Sequence, residues 1–256
     1  FKDIMKTITK ILSILLLTAI AYNISAHTLK DSISSDDRTE SYKERDIYRH
    51  PYETLSFFGI ESDMTVVELN PGGGWYTEIL ANYIHYPGTL IAAQGNYYYD
   101  RFKEKLDSKP MYGRVELVAL DSKLADANSV DAIVTFRNLH NWLGPQMENI
   151  FKNSFTALKP GGIFGVVEHR ANAGTDLNLM KRSGYVTESL AIEVAQKNGF
   201  ELVAKSEINA NLKDLKNHPK GVWTLPPSLR LKEVDRDKYK SIGESDRMTL
   251  LFRKPQ

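Results

Sequence analysis

A turn with three consecutive glycines is the part of this sequence that most clearly predicts ligand binding. It spans residues 68–74 (ELNPGGG), between a strand-like run and a helix-like run. Because glycine has no Cβ, a ligand can approach the backbone closely at such a turn. A tight turn without a ligand would use the same glycines, but the strand, the acidic residue and the helix around it favour a binding site. No Gly-Lys-Ser/Thr follows, which excludes a triphosphate-binding loop.

Two later turns carry side chains suited to proton transfer. Residues 137–142 (RNLHNW) follow one predicted strand, and residues 168–170 (EHR) follow the next. His140 could act as a general base, because the unperturbed pKa of imidazole suits proton uptake at neutral pH. The same histidine and its neighbouring asparagines could instead cap the following helix or satisfy backbone groups.

The arginines of these turns predict a negatively charged substrate. If Arg137 and Arg170 converge with His140 and His169, the pocket suits a carboxylate or phosphate bound by forked guanidinium groups. Two histidines and Glu168 could instead bind a metal, but no His-x-x-x-His or similar spacing supports it, and we predict none. The predicted catalytic residues are His140, Arg137, Asn141, Glu168 and His169.

A parallel sheet is needed to bring these turns together, because ligands bind at the carboxyl ends of its strands. Short β-branched or apolar runs alternate with helical runs along the chain. This pattern predicts an α/β fold: a Rossmann-like, doubly wound, seven-stranded sheet, mostly parallel with an antiparallel last strand. The predicted strands are 64–69, 89–93, 115–120, 131–136, 162–167, 200–208 and 248–253, and the predicted helices are 75–84, 98–106, 146–158 and 188–198.

The glycine-rich turn resembles the first motif of class I S-adenosylmethionine-dependent methyltransferases, acidic-x-Gly-x-Gly-x-Gly. Asn70 takes the first glycine position, and asparagine tolerates positive φ better than most residues. The resemblance extends through most of the chain, because Asp121, Leu139-His140 and residues 158–162 (LKPGG) stand where later motifs of the family would be. More narrowly, the chain resembles an exported branch of predicted methyltransferases with no assigned substrate.

This resemblance implies S-adenosylmethionine as the cofactor. It places Glu68 at the methionine ammonium, directly or through water, Gly72 and Gly74 where the ligand enters, and Asp121 at the adenine amine with Leu120 against the ring. Where the family has an acidic residue for the ribose hydroxyls, this chain has residues 93–96 (AQGN), so an amide replaces the carboxylate. The same replacement weighs against a nicotinamide dinucleotide. The implied cofactor-binding residues are Glu68, Asn70, Gly72, Gly73, Gly74, Gln94, Asp121 and Asn138.

Composition excludes several other classes of function. The 256 residues contain 33 Lys+Arg and 32 Asp+Glu, for a formal net charge of +1, and no basic cluster predicts a nucleic-acid partner. The sequence has no cysteine, which removes disulfides, thiolate nucleophiles and zinc-finger sites.

The N-terminal residues predict export. Lys6 and Lys10 precede an apolar run at 11–21, and Ser25-Ala26 offers small residues for cleavage. These features predict a secretory signal peptide over residues 1–26, with Met5 as the start and a periplasmic or secreted mature protein. An uncleaved anchor is the alternative, although the run is short for a bilayer.

The mature chain divides into a short entry segment and one domain. Residues 27–60 predict an exposed lead-in followed by a cap helix that starts at Pro51, and residues 61–256 predict the methyltransferase-like domain. Within it, residues 209–246 form a long insert. Its Trp223 could cover the pocket as part of a lid, or protect the sheet edge.

The sequence therefore predicts methyl transfer from S-adenosylmethionine to a small anionic molecule, with no membrane contact beyond the signal segment. Two alternatives stay open. One is an exported protein that binds another small molecule as a carrier or sensor, and the other is a different enzyme that uses His140 and Glu168 for acid–base chemistry.

Overall fold

The computed structural model describes residues 27–256, and the predicted signal peptide lies outside the described residues. Apolar runs that are β-branched or continuously hydrophobic form the strands of one sheet. The strands are β1 (Thr65–Leu69), β2 (Thr89–Gln94), β3 (Val115–Ala119), β4 (Val130–Phe136), β5 (Leu158–His169), β6 (Glu201–Ser206) and β7 (Arg247–Arg253).

The strand order is β3-β2-β1-β4-β5-β7-β6. Strands β1 to β5 pair in parallel, and β7 runs antiparallel to both β5 and β6. The predicted Rossmann-like sheet, with its antiparallel last strand, is confirmed. The order reverses at β1 and β4, so a crevice is expected at the carboxyl ends of these two strands.

Helices cover both faces of the sheet. Those before it are α1 (Leu29–Ser34), α2 (Glu40–Lys43), α3 (Asp46–Arg49) and α4 (Pro51–Phe58). Those within the domain are α5 (Trp75–Tyr83), α6 (Tyr99–Leu106), α7 (Leu139–Trp142), α8 (Pro145–Ala157), α9 (Leu177–Ser183), α10 (Glu188–Lys197) and α11 (Arg236–Ile242). Within residues 27–256, none of these helices has the length and hydropathy needed to cross a membrane.

The central strands are buried on both faces. Val66 packs with Phe58 on one face, while the adjacent Val67 packs with Phe151 on the other, and all four side chains are almost fully buried. Each such side chain contributes roughly 1.5–3 kcal/mol relative to an exposed one. The sheet thus provides a rigid support for the turns at its carboxyl edge.

The lead-in at residues 27–45 is more ordered than its polar sequence predicts. Thr28 caps α1 in a reciprocal pair with Asp31, and Leu29 is buried in the core. Arg38 is buried in a forked ion pair with Asp46, at 2.8 and 2.9 Å. Most of its side chains are exposed, as predicted, but single apolar residues and a paired arginine, rather than a periodic pattern, attach the segment to the domain.

The start of strand β5 differs from the sequence prediction, and the insert is closely packed against the domain. Strand β5 begins at Leu158, because this residue already pairs with Val130 across an irregularity, so residues 158–162 belong to the strand. The insert at 209–246 is packed rather than open. Asp214 in this insert accepts hydrogen bonds from the Tyr185 hydroxyl at 2.9 Å and from the backbone N–H of Asp246 at 2.8 Å.

Candidate active site

The glycine-rich turn is held in shape by asparagine side chains. Asn70 has φ +49°, in the left-handed region that asparagine was expected to tolerate. Its Oδ1 accepts from the backbone N–H of Gly95 at 3.2 Å, and its Nδ2 donates to Asn138 Oδ1 at 2.9 Å. Asn138 in turn donates to the backbone oxygens of Leu69 and Asn70, each at 3.1 Å. The turns after β1, β2 and β4 are thereby joined by direct hydrogen bonds.

The three glycines serve different purposes. A Cβ on Gly72 would meet no atom within 4 Å, and Gly72 and Gly73 both line a cavity. The Tyr42 hydroxyl donates to the Gly73 backbone oxygen at 2.8 Å, so helix α2 lies over the turn. Gly74 instead packs against Lys105 and Phe102 of α6. Gly74 is not in the wall of that cavity, and its contact with a ligand stays a prediction.

Among the cavities at the carboxyl edge of the sheet, two contain side chains predicted to act in the site. The first lies beside β2 and β3 and has a volume of about 560 Å³. We call it the adenosyl-side cavity, because Asp121, the residue expected at the adenine amine, lines it. The Nδ2 atom of Asn96 donates to Asp121 Oδ2 at 3.1 Å in its wall, beside Leu120. The second, the arginine cavity, has a volume of about 300 Å³ and contains Gly72, His140 and several arginines.

Two predicted cofactor residues point away from both cavities. Glu68 is buried, and its Oε2 accepts from Thr77 Oγ1 at 2.6 Å. Burial raises the pKa of Glu68 to about 7, against the lowering effects of Thr77 and Lys105. Gln94 is also fully buried, and its Oε1 accepts from the Gly72 N–H at 3.2 Å. Both side chains support the turn from beneath, and their contacts with a cofactor stay predictions.

His140 and Glu168 form a buried pair at the mouth of the arginine cavity. His140 Nδ1 lies 2.9 Å from Glu168 Oε1, and the Glu168 side chain is fully buried. The same carboxylate accepts from the backbone N–H groups of His169, at 2.8 Å, and Leu139. A carboxylate only accepts hydrogen bonds, so Nδ1 carries the proton and Nε2 is the free basic nitrogen. The pair has the geometry required of a general base and its orienting carboxylate.

His169 lies on the other side of this pair. Its ring centroid is 5.2 Å from that of His140, and its Nδ1 lies 2.5 Å from Ser245 Oγ. Burial, His140 and the nearby arginines lower the pKa of His169 well below 6.5. His169 is therefore neutral at physiological pH.

Four arginines surround one carboxylate in the cavity wall. Glu244 pairs with Arg45 at 2.6 Å, with Arg49 at 3.3 Å, and with Arg247. These neighbours hold the pKa of Glu244 far below its ordinary range, despite its burial. Arg137 adds a fourth guanidinium, and burial together with Arg247 lowers its pKa to about 10, so it stays charged.

The structure removes two residues from the predicted pocket. Arg170 is engaged by Asp246 at 2.9 Å and by Glu207 at 2.7 Å, outside the arginine cavity. Asn141 is exposed, with no place in the cavity wall. In an extended strand, Arg170 shares a face with Glu168, but the carboxylates of Asp246 and Glu207 engage it instead.

The cavity also contains residues that sequence reasoning missed. Tyr42 and Arg49 come from α2 and α3, with Arg45 between these helices, while Ser245 precedes β7 and Arg247 begins it. Trp223 of the insert lies in the wall, with its ring centroid 6.0 Å from that of His140. Of the two roles considered for Trp223, the structure shows the one at the pocket. Motif spacing gave no signal for these three arginines, because Arg247 is far from Arg45 and Arg49 in the chain.

The histidines and Glu168 are also close enough for metal binding. His140, Glu168 and His169 offer ligand atoms within 4.8 Å of one another, a proximity that their sequence spacing did not indicate. Both Glu168 oxygens already accept N–H donors, however, and the arginines oppose a cation just as they oppose protonation of His169. The field of this cavity favours an anion.

Comparison with known proteins gives a family match within the domain. Residues 67–166 match the family model described as "Methyltransferase domain". No curated protein sequence matches the chain.

Solved structures share the fold at low sequence identity. A SAM-dependent methyltransferase from Aquifex aeolicus has 15% identity and a TM-score of 0.58, covering 86% of this chain and 96% of that one. The geranyl diphosphate C-methyltransferase from Streptomyces coelicolor A3(2) has 11% identity and a TM-score of 0.56, covering 87% and 84%. The [4+2]-cyclase SpnF has 16% identity and a TM-score of 0.59, covering 89% and 91%.

The fold places its crevice at the β1/β4 switch point, where the glycine-rich turn meets the turn after β4. Residues 67–166 are therefore similar to a methyltransferase domain, and the chain shares its fold with solved S-adenosylmethionine-dependent methyltransferases.

Proposed function

We propose that this protein transfers a methyl group from S-adenosylmethionine to a small anionic molecule. One observation carries the proposal: the glycine-rich turn, the free nitrogen of the His140–Glu168 pair and four arginines face one cavity. A cofactor on the turn and an anionic acceptor beside His140 would then be neighbours. The cavity volume of about 300 Å³ favours a small acceptor.

The described residues fit the cofactor. Asp121 and Leu120, in the wall of the adenosyl-side cavity, would hold the adenine, and Asn96 orients the Asp121 carboxylate. Gly72 and Gly73 line the arginine cavity, and the open space at the Cβ position of Gly72 would take the methionyl part. S-Adenosylmethionine supplies an electrophilic methyl group on a sulfonium sulfur.

His140 would remove the proton of the acceptor as the new bond to carbon forms. Glu168 fixes the ring orientation and stabilises the imidazolium that results, while its own position is fixed by the N–H groups of Leu139 and His169. General-base catalysis of this kind contributes typically 10²- to 10⁴-fold to a rate.

The walls of the cavity position the reactants and exclude water. Trp223 packs beside His140, and Pro226 and Pro227 extend the same wall. Alignment of a bound acceptor with a bound donor lowers the entropic barrier without any covalent intermediate on the protein.

The test is methyl transfer from labelled S-adenosylmethionine into a panel of small carboxylates and phosphates. His140→Gln should lower kcat by about 10²-fold or more while the affinity for S-adenosylhomocysteine changes little. His85→Gln is the matched control, because His85 bonds to the Tyr83 backbone oxygen and has no part in the cavity wall. Unchanged turnover in His140→Gln would remove the proposed base.

A second candidate is a protein that binds, or acts on, another ligand in the same crevice. Gln94 favours it, because the residue at the ribose position is an amide already bonded to Gly72. A thermal-shift screen separates the two, since a ligand at 100 times its Kd stabilises a protein by about 2.7 kcal/mol. A shift with another metabolite, and none with S-adenosylhomocysteine, would favour this candidate.

We also propose that the mature protein works outside the inner membrane. This rests on the sequence of residues 1–26. Cell fractionation should find a shortened chain in the periplasm or medium, and a full-length chain in the cytosol would contradict the proposal.

A further inference from the structure

The arginine cavity contains buried cationic donors without partners. Within residues 27–256, the Nη1 and Nη2 atoms of Arg49 and the Nε atom of Arg247 are buried and make no hydrogen bond. Both side chains are 2% exposed. Burying such donors unsatisfied is costly, and more so for charged groups. They are therefore expected to meet an acceptor that the protein itself does not supply.

Arg137 points to the same conclusion from the other wall. Burial and neighbouring arginines lower its pKa and Glu244 raises it, but its guanidinium donates no hydrogen bond within residues 27–256. Its backbone has φ +63°, a left-handed conformation that is uncommon for a long side chain. Strained positions of this kind concentrate at ligand sites, where the strain fixes a side chain in place.

The charge balance of the cavity indicates how much negative charge is missing. Arg45, Arg49, Arg137 and Arg247 carry four positive charges, while Glu244 in the wall and Glu168 behind His140 carry two negative ones. The difference is two positive charges. A dianion would neutralise it, whereas a single carboxylate would leave one charge uncompensated.

The donors also suit a tetrahedral oxyanion better than a flat one. A phosphoryl group presents three strong acceptor oxygens in three directions, and a carboxylate presents two oxygens in one plane. Arg49 and Arg247 both pair with Oε2 of Glu244, and Arg137 follows β4. Donors that approach from separate elements can each reach a different phosphoryl oxygen.

We propose that the anionic acceptor is a small phosphorylated molecule whose phosphoryl group is bound by Arg137, Arg49 and Arg247. The inference deepens the proposed function, and the statement that the phosphorylated molecule accepts the methyl group rests on that function. The phosphoryl site itself would exist whether or not methyl transfer occurs.

The experiment measures binding of inorganic phosphate to the full chain by calorimetry, at neutral pH and constant ionic strength. Phosphate should bind at one site, at least about 10-fold more tightly than malonate or acetate. Arg137→Gln should weaken phosphate binding about 10- to 100-fold, the range for losing a hydrogen bond to a charged group. Arg137→Lys keeps the charge but loses the forked guanidinium, so its affinity for phosphate should lie between those of the wild type and Arg137→Gln.

Arg253→Gln is the matched control. Arg253 is an exposed residue at the far end of the same strand as Arg247, and its loss removes the same charge. Its phosphate affinity should equal that of the wild type. Melting curves show whether each variant is folded. If Arg137→Gln is unfolded, Arg137→Lys serves as the test.

Several results would overturn the inference. These are no phosphate binding, equal weakening by Arg253→Gln, or tighter binding of malonate than of phosphate. A parallel titration with S-adenosylhomocysteine separates the two proposals. Binding of S-adenosylhomocysteine without phosphate binding removes only this inference, and phosphate binding without S-adenosylhomocysteine binding removes only the proposed methyl transfer.

Discussion

Replacing Glu68 by glutamine should remove a pH-dependent loss of stability. Glu68 is buried beneath the glycine-rich turn, and its carboxyl has a pKa of about 7 against an ordinary value of 4.5. The cause is burial, which penalises the charged form more than the Thr77 hydroxyl compensates. Because one pKa unit corresponds to about 1.4 kcal/mol, the full effect is about 3 kcal/mol.

The direction of the effect follows from which state binds the proton. Below about pH 4.5 the carboxyl is protonated in both states. Between about pH 4.5 and 7 it ionises in the unfolded chain but stays protonated in the folded one, so the free energy of unfolding falls as the pH rises. Above about pH 7 the loss is complete and stays constant.

The assay is urea denaturation at pH 5 and pH 8, followed by tryptophan fluorescence. Glutamine cannot ionise, so the stability of Glu68→Gln relative to the wild type should increase by about 2.5 kcal/mol from pH 5 to pH 8. Other titrating groups are common to both proteins and cancel in this difference. Glu53→Gln, at an exposed position of α4, is the matched control and should show no such increase.

Parallel pH profiles for the wild type and Glu68→Gln would refute the reasoning. They would mean that the carboxyl is ionised in the folded protein, and hence that a cation or water compensates it. In that case the predicted contact between Glu68 and a cofactor ammonium would regain its physical basis.

Three further predictions test other parts of the structure. His169 is neutral in the folded protein but takes a proton below about pH 6.5 in the unfolded chain, so the wild type should lose more stability than His169→Gln between pH 7.5 and 5.5. Denaturant titrations measure this difference, and an equal loss in both proteins would contradict the lowered pKa of His169. Tyr42→Phe removes the hydroxyl that holds Gly73, and calorimetry should show about 2- to 10-fold weaker binding of S-adenosylhomocysteine; unchanged affinity would mean that α2 does not support the cofactor site. Gly165→Ala would place a Cβ 2.6 Å from the Phe58 ring, so the free energy of unfolding should drop by about 1–3 kcal/mol while binding of S-adenosylhomocysteine is retained; a neutral effect would show that the ring can move aside.

Much of the fold follows from short-range pattern. Strands β1 to β4 alternate with helices, and their continuous apolar runs predict burial on both faces, so their positions were predicted within a few residues. Strand β5 was predicted to begin four residues too late, because proline and two glycines at 160–162 resemble a turn. Their place in the strand depends on pairing with β4, a contact that sequence pattern does not show.

The site was predictable only where its residues follow strands. Asn70, His140 and Glu168 each lie at the end of a strand or directly after one, so the topology of the sheet brings them together. Arg45 and Arg49 could not be predicted, because their partner Glu244 lies almost 200 residues away and the lead-in has no amphipathic period. Arg170 was predicted in the pocket from its position after β5, but nearby acidic residues engage it outside the cavity.

Binding of S-adenosylhomocysteine to the purified chain tests the central claim most directly. Calorimetry should show one site, with affinity reduced about 10-fold or more in Asp121→Ala, because Asp121 lies in the wall of the adenosyl-side cavity. Asp126→Ala, at an exposed position outside that cavity, should bind as the wild type does. No binding to the wild type, or binding that Asp121→Ala leaves unchanged, would contradict the assignment of this crevice to the cofactor.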